Sequence, residues 1–480
     1  MRITFFILLY LSSLLASAQS SFNSNYLDAI STQSLRQHVY TLAADSMQGR
    51  GTATAGEHKA AQYIINHFKA QGLHPLKDTT YLQDIGLWSQ QWGEINVQIN
   101  KTPLIHFQDF VYLGTNPIEP RQYSKAIFIG RGDAASLDRL ELKGKVAVAL
   151  ADNLNNWYQL ANRLKQRDAL ALFMVPAKDT SAFDKLSDLI ATRHQRQLLL
   201  KDKPQLSNRF IHAFALKQST ATSIFNCSFE ELKALSGRQL RRLPQPTVSL
   251  HGPVHIQRAK AYNVAAILPA NNSTKDALVI SAHYDHMGER HNRLYAGADD
   301  NASGTAAMLE LAHAFVPLRD KLDKNLIFLA TSGEEKGLLG ALYFANHPQE
   351  HDFNIKANIN IDMVGRIDSA HKSNYIYTIG NQHYPEFDTL VQAANKLTET
   401  LSIQNNYNEP QPYGNFIRLS DHYAFHRLNI PVLAFFSGLH ADYHKPGDTP
   451  EKINYTALSQ RVKLIFITTY LATKKTAFNQ

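Results

Sequence analysis

From Tyr262 onward, short apolar runs of strand length alternate with longer stretches whose apolar residues recur at helical spacing. The runs Ala277–Ala282, Asn325–Thr331, Ala357–Ile361, Tyr375–Ile379 and Ile430–Phe436 predict buried strands, and helices are predicted to start near Ser303, Gly337 and Glu386, with a last one from about Asn454 to Lys474. This alternation predicts an α/β fold with a mixed, mostly parallel central sheet flanked by helices. Upstream, Ala61, Ile64, Ile65 and Phe68 share one helical face between Glu57 and Gln71, with Gly72 where a C-terminal cap belongs. Between these parts, β-like runs such as Lys125–Gly130 and Lys145–Leu150 alternate with polar segments up to about Gln257, which predicts a separate, inserted, β-rich α+β domain.

Composition narrows the class. With 480 residues, 44% hydrophobic and 19% charged, the chain has ordinary globular usage, which excludes collagen, coiled coil and a multi-span membrane protein. The net charge of +8 comes from basic residues spread along the chain without aromatic interleaving, so no nucleic-acid partner is expected. A single cysteine, Cys227, excludes an internal disulfide and a cysteine-based zinc site. Arg2, the apolar stretch Ile3–Leu15 and Ala16-Ser17-Ala18 have the three parts of a secretory signal peptide over residues 1–18, which predicts export to a periplasm or the medium. No later apolar run approaches the ~20 residues of a bilayer span, so no membrane span is expected in the mature protein. Oligomeric state is not legible.

In an open α/β sheet, ligands bind beyond the carboxyl ends of the strands, and acids and histidines follow these strands directly. His283-Tyr284-Asp285 ends the first run. Residues two apart in extended chain face one side, so His283 is a candidate metal ligand and Asp285 a candidate acceptor for its other ring nitrogen. The small-residue loop Gly297–Gly304 opens the next helix; Asp299 or Asn301 could cap that helix, and Asp300 is the acid expected to reach an ion. Asn325–Thr331 runs into Glu334-Glu335, two adjacent carboxylates that would repel if buried together. A cation resolves that conflict, one acid ligating it and the other serving as general base. Asp362 ends a further apolar run, and His440–Thr449 follows the last one. Two imidazoles and several carboxylates without cysteine suit zinc, cobalt or manganese. Charge counting favours two ions: Asp300, Glu335 and Asp362 with one bridging hydroxide balance two divalent cations, which would lie roughly 3.5–4 Å apart.

The order His-x-Asp, Gly-x-x-Asp-x-x-Ser-Gly, Gly-Glu-Glu-x-Gly, Asp-Met, and Tyr-His ahead of Asp-Thr resembles the di-zinc aminopeptidases of metallopeptidase clan MH, which also contains glutamate carboxypeptidase II, glutaminyl cyclase and the non-catalytic transferrin receptor. The resemblance implies a zinc exopeptidase fold divided as signal peptide 1–18, N-terminal peptidase part 19–88, insert 89–257 and main peptidase part 258–480. It implies two Zn2+, with Co2+ or Mn2+ as substitutes: His283 and Asp362 on one ion, Glu335 and His444 on the other, Asp300 bridging. Glu334 would be the general base, Asp285 the partner of His283, and Tyr443, Asp421 and His440 would lie near the substrate or behind the ligands. A cis peptide after Asp300 also belongs to the pattern. The implied function is a secreted or periplasmic metallo-aminopeptidase acting on peptide substrates. Alternatives are a carboxypeptidase or dipeptidase of the clan, a glutaminyl cyclase, or a receptor-like binding protein. The insert resembles a protease-associated domain from Leu142-Lys143-Gly144-Lys145 and Val146–Leu150, although Asp168 stands where such modules carry glycine. The remaining histidines, His286 among them, are read as surface or packed residues.

Overall fold

The computed structural model describes residues 24–77, 79–178, 181–194, 198–202, 211–290, 293–398, 401–409, 415–474 and 477–478. The expected leader of residues 1–18 lies outside them. No helix among the described residues is long and apolar enough to cross a membrane. The chain forms two compact units, one of residues up to Gly86 together with Lys260 onward, the other of Leu87–Ala259.

The first unit is built on a nine-stranded sheet. Its strands are β1 (His74–Pro75), β2 (Leu82–Asp84), β3 (Tyr262–Leu268), β4 (Asp276–His283), β5 (Asn325–Thr331), β6 (Asn354–Ile361), β7 (Tyr375–Ile379), β8 (Ser402–Gln404) and β9 (Val432–Phe436). The order is β1-β3-β5-β4-β6-β9-β7-β8, with β2 also paired to β3. The neighbours β5, β4, β6 and β9 run parallel. Antiparallel pairing joins β3 to β5 and β7 to β9, so the sheet is mixed around a parallel core.

Most of the parallel strands read as apolar runs because both faces are covered; β6 also carries Asn358 and Asn360, which are buried and donate to Ser281 Oγ and Ser420 Oγ. Leu278, Ile280 and Ala282 pack with Phe328 and Ile359 on one face, against helices α3 (Gly304–Phe315) and α7 (Tyr455–Ala472). Val279 packs with Ile327, Leu329 and Ala434 on the other, against α4 (Leu339–Asn346) and α6 (His422–His426). Helix α3 is buried nearly all round, which is why its sequence is apolar rather than amphipathic. The lead-in supplies α1 (Thr32–Leu42), capped where the Ser31 side chain accepts from the Ser34 N–H, and α2 (Ala55–Ala70); α5 (Pro385–Asn395) completes the α-helices of this unit among the described residues. Strand β3 and helix α1 are not among the elements named from the sequence; β3 pairs with β1, β2 and β5, and α1 packs against α3 and α7.

The second unit has its own cores around an eight-stranded sheet. Ile118–Phe128, Val146–Ala151, Ala171–Pro176 and His212–Leu216 are its parallel centre. Asp168, just before Ala171–Pro176, has φ +54°. The turn does require the left-handed conformation that glycine adopts freely, and aspartate is one of the few other residues that tolerate it.

Candidate metal centre

Because β4, β5 and β6 are parallel, His283, the Thr331–Gly337 turn and Asp362 leave the same edge of the sheet. The carbonyl of His283 accepts from Thr305 Oγ1 at 2.8 Å, fixing the strand end to α3. The ring is buried, with Nε2 3.4 Å from both Asp300 Oδ1 and Asp362 Oδ1. Its Nδ1 lies 3.1 Å from the main-chain carbonyl of Asp285. Donation there leaves Nε2 as the bare lone pair facing the acids.

The carboxylate of Asp285 has a different task from the expected one. It stands 3.9 Å from the His283 ring and accepts instead from Thr52 Oγ1 at 2.7 Å and from the Glu334 N–H at 3.1 Å. The expectation followed the alternation of an extended strand, but β4 ends at His283 and the chain turns, presenting the carbonyl of Asp285 to the ring.

Asp300 sits in a loop held on several sides. The Asp448 carboxylate accepts the N–H groups of Asp299 at 3.0 Å and Asp300 at 3.1 Å. Asn301 donates to the Ile361 carbonyl at 2.9 Å and accepts from the Gly304 and Met363 N–H groups at 2.9 and 3.1 Å, which joins the loop to the end of β6. A Cβ on Gly304 would lie 2.3 Å from Asn301 Oδ1, so the approach needs glycine. The Asp300–Asn301 peptide is cis. Asp299 turns away, its Oδ1 accepting from the Gly365 N–H and Ser303 Oγ.

The two oxygens of Asp300 face different partners. Oδ1 faces His283, while Oδ2 is 3.1 Å from His444 Nε2 and 3.7 Å from His286 Nδ1. Glu335 Oε1 lies 2.8 Å from His286 Nδ1 and 3.4 Å from His444 Nε2. Asp362 accepts from Ser420 Oγ at 2.7 Å through Oδ2, which leaves Oδ1 free toward His283. Candidate donor atoms form two groups, each within 4.8 Å: His283, Glu334 and Asp362, and His286, Asp300 and Glu335.

These residues fit divalent cations on three counts. Asp300 Oδ2, Glu335 Oε1, Asp362 Oδ1 and both nitrogens of His286 are buried without a hydrogen-bond partner among the described residues. Buried polar atoms left so are costly, and a bound cation would remove the cost. Spacings of 3.1–3.4 Å between donor atoms are close to the edges of a tetrahedron whose metal–ligand bonds are about 2.0–2.1 Å. Electrostatics agree. Burial opposes charge on His283, yet Glu334, Asp362 and Asp300 raise its pKa well above the ordinary imidazole value. Burial also works against the Glu335 carboxylate, and His286 and His444 nevertheless hold it well below its usual range. The cluster calls for positive charge, from protons or from metal.

The remaining sequence candidates lie around this cluster. Asp421 is fully buried and accepts from Thr331 Oγ1; burial pushes its pKa up to about 7, with Asp285 and Asp362 adding and His283 opposing. His440 Nε2 faces Asp299 Oδ2 at 3.4 Å, not the proposed ligands. Tyr443 stacks on His444 with ring centres 3.9 Å apart, and burial together with the surrounding acids raises its phenol pKa. His286, a surface or packed residue by sequence, is completely buried and lies inside the donor cluster. Its one available signal was its position three residues after His283, which by itself does not separate a ligand from a packed ring.

A cavity of about 570 Å³ opens beside Asp362 and Tyr443. Its walls include Ile379, Phe416, Leu419, Phe436 and Leu439.

Residues 263–469 match the sequence profile of Peptidase family M28. The chain is 30% identical over 215 residues to the aminopeptidase YwaD of Bacillus subtilis, an alignment covering 43% of each chain. Over 195 residues it is 30% identical to leupeptin-inactivating enzyme 1 of Streptomyces exfoliatus, covering 40% of this chain and 39% of that one. The matched stretches thus span less than half of these relatives. Among solved structures, the aminopeptidase from Aneurinibacillus sp. strain AM-1 superposes with a TM-score of 0.50 at 19% identity, over 96% of this chain and 98% of that one. The zinc aminopeptidase BSAP of Bacillus subtilis superposes with a TM-score of 0.51 at 20% identity, over 93% and 96%. These likenesses show a shared fold.

Proposed function

We propose that this chain is an exported metallo-aminopeptidase that holds two zinc ions and removes apolar N-terminal residues from peptides. The observation that carries the reading is Asp300: its Oδ1 faces His283, whose donor group includes Glu334 and Asp362, and its Oδ2 faces His444. His283 and Asp362 would hold one ion, Glu335 and His444 the other, and Asp300 both. The names of the relatives support zinc and an aminopeptidase activity, and the leader-like residues 1–18 support export. The apolar walls of the cavity beside Asp362 support a hydrophobic side chain at the substrate's N-terminus. The protease-associated-like reading of residues 89–257 belongs to the same proposal, supported by that segment's compactness and separate core.

When bound, the ions would polarise the scissile carbonyl and lower the pKa of an adjacent water toward ~7. Glu334 takes the proton of the attacking water and returns it to the leaving amine. Burial raises the Glu334 carboxyl well above the ordinary carboxylate range while His283 pulls it back, which suits a group that must both accept and give up a proton. Asp285 orients this base by accepting the Glu334 N–H, and Thr52 fixes Asp285 in turn. Tyr443, 37% exposed at the cavity, is placed to hydrogen-bond a substrate carbonyl.

The test is a panel of aminoacyl-arylamides and short peptides, free or blocked at the amino end, assayed with zinc-loaded and chelator-treated protein. Zinc-dependent release of leucine or phenylalanine from free amino ends alone is expected. Cleavage of amino-blocked peptides at the carboxyl end would select the carboxypeptidase alternative, and no turnover of any substrate would overturn the enzymatic reading.

A further inference from the structure

His286 follows His283 by three residues and reaches the other side of Asp300. We infer that His286 is itself a metal ligand: its Nδ1 joins Asp300 Oδ2, Glu335 Oε1 and His444 Nε2 around the second cation. The inference rests on the two-ion reading above and adds an imidazole to it.

Burial supplies the first argument. The His286 ring has no exposure and neither nitrogen has a hydrogen-bond partner among the described residues, so a plain packing role would leave two desolvated polar atoms uncompensated. Contact geometry supplies the second. Nδ1 and Glu335 Oε1 are 2.8 Å apart, yet among the described residues neither atom has a well-aligned hydrogen-bond partner. A ring N–H donating to that carboxylate would be aligned with it. Donor atoms that approach closely without such alignment are what two ligands of one ion look like, as their lone pairs converge on the metal rather than on each other. The distances from Nδ1, 2.8 Å to Glu335 and 3.7 Å to Asp300, bracket the tetrahedral edge of roughly 3.3 Å expected for zinc.

The ring is also held in place. The His286 N–H donates to the Arg50 carbonyl at 3.0 Å. Gly297 lies against its other side: a Cβ there would be 2.5 Å from ring atoms Cγ and Cδ2, so the glycine makes room for the imidazole. His444 differs. Its side chain is 36% exposed and its backbone sits at φ +53°. The second ion would thus have one enclosed imidazole and one at the edge of the cavity, and the enclosed one should retain the ion when the other is removed.

The experiment combines metal counting with crystallography on the full-length protein. Zinc content and Co2+ titration should give two ions per chain in the wild type. His286→Ala should keep one tight ion and bind the second at least ~10-fold more weakly, since even indirect partners of a ligand are worth that much. His444→Ala should still bind two, the second with lowered affinity. In zinc-soaked wild-type crystals, anomalous maps should place the second ion about 2.0–2.1 Å from His286 Nδ1; this readout needs no variant to fold. Two ions with no bond to His286 would overturn the inference alone and make the ring a neighbour of Glu335. Fewer than two ions in the wild type would bring down the two-ion reading and this inference with it.

Discussion

Arg50 donates from Nη2 to the main-chain carbonyl of Gly297 at 2.8 Å, joining positions 247 residues apart. The same buried guanidinium donates to the carbonyls of Tyr284 at 2.8 Å, Ala296 at 2.7 Å and Leu42 at 2.5 Å. Burial lowers its pKa to about 10, with Asp300 and Asp448 opposing, so it stays charged at neutral pH. One side chain therefore clamps the segment after His283 and the loop before Asp300. Arg50→Met should strand these carbonyls, at ~1–3 kcal/mol for each buried group left unpaired. A fall of at least ~3 kcal/mol in urea-unfolding free energy is expected, with weaker zinc binding; unchanged stability would show that the clamp is dispensable.

Glu334→Gln removes the proposed base and leaves the other donors in place. Turnover should fall by ~10²–10⁴-fold while zinc content stays at the wild-type level. Near wild-type kcat would reassign the base.

Asp300→Ala should lose both ions in elemental analysis, because one carboxylate serves both groups, whereas His283→Ala should lose one. Chelation should lower the melting temperature of the wild type. An ion present at 100 times its dissociation constant contributes about 2.7 kcal/mol to stability, and the Asp300 variant should lack that response.

The apolar cavity wall gives a specificity prediction. Leu439→Glu places a carboxylate among Phe416, Phe436 and Ile379. The kcat/KM for leucyl substrates should drop at least ~10-fold, the low end of what one methylene is worth in such a pocket. Metal content should not change. A leucyl preference that survives the substitution would move the side-chain subsite elsewhere.

Acid should destabilise the fold in a defined window. Burial, with His38 adding, lowers the His67 pKa to about 4, and burial lowers that of His422 to about 4. In the unfolded chain both take a proton near pH ~6.5, so between about 6.5 and 4 the unfolded state binds more protons and stability falls as the pH falls. Above that window their contribution is complete. His67→Gln keeps a donor for the Leu309 carbonyl and should flatten the pH dependence of the urea midpoint; an unchanged slope would assign the acid sensitivity to other groups.

Much of this was legible in the linear order. Helices cover both faces of the sheet, so β4, β5, β7 and β9 announce themselves as mainly apolar runs, and β6 does so through Ala357, Ile359 and Ile361. His283, Asp300, Glu334, Glu335, Asp362 and His444 stand directly after those runs or within motifs tied to them, and parallel strands bring such positions to one edge. Each depends on local pattern together with a rule of α/β topology.

Tertiary structure decided what depends on angles and on distant partners. Whether Asp285 offers the His283 ring a carboxylate or a carbonyl turns on the dihedral angles where β4 ends. His286 separates from other packed histidines only when both its nitrogens are seen unpartnered beside Glu335. Arg50, Thr52 and Asp448 act on groups far away in sequence, and the apolar cavity is assembled from side chains between Asp362 and Lys445 that no periodicity connects. Periodicity records which face of an element is buried; it carries no record of which buried atoms meet.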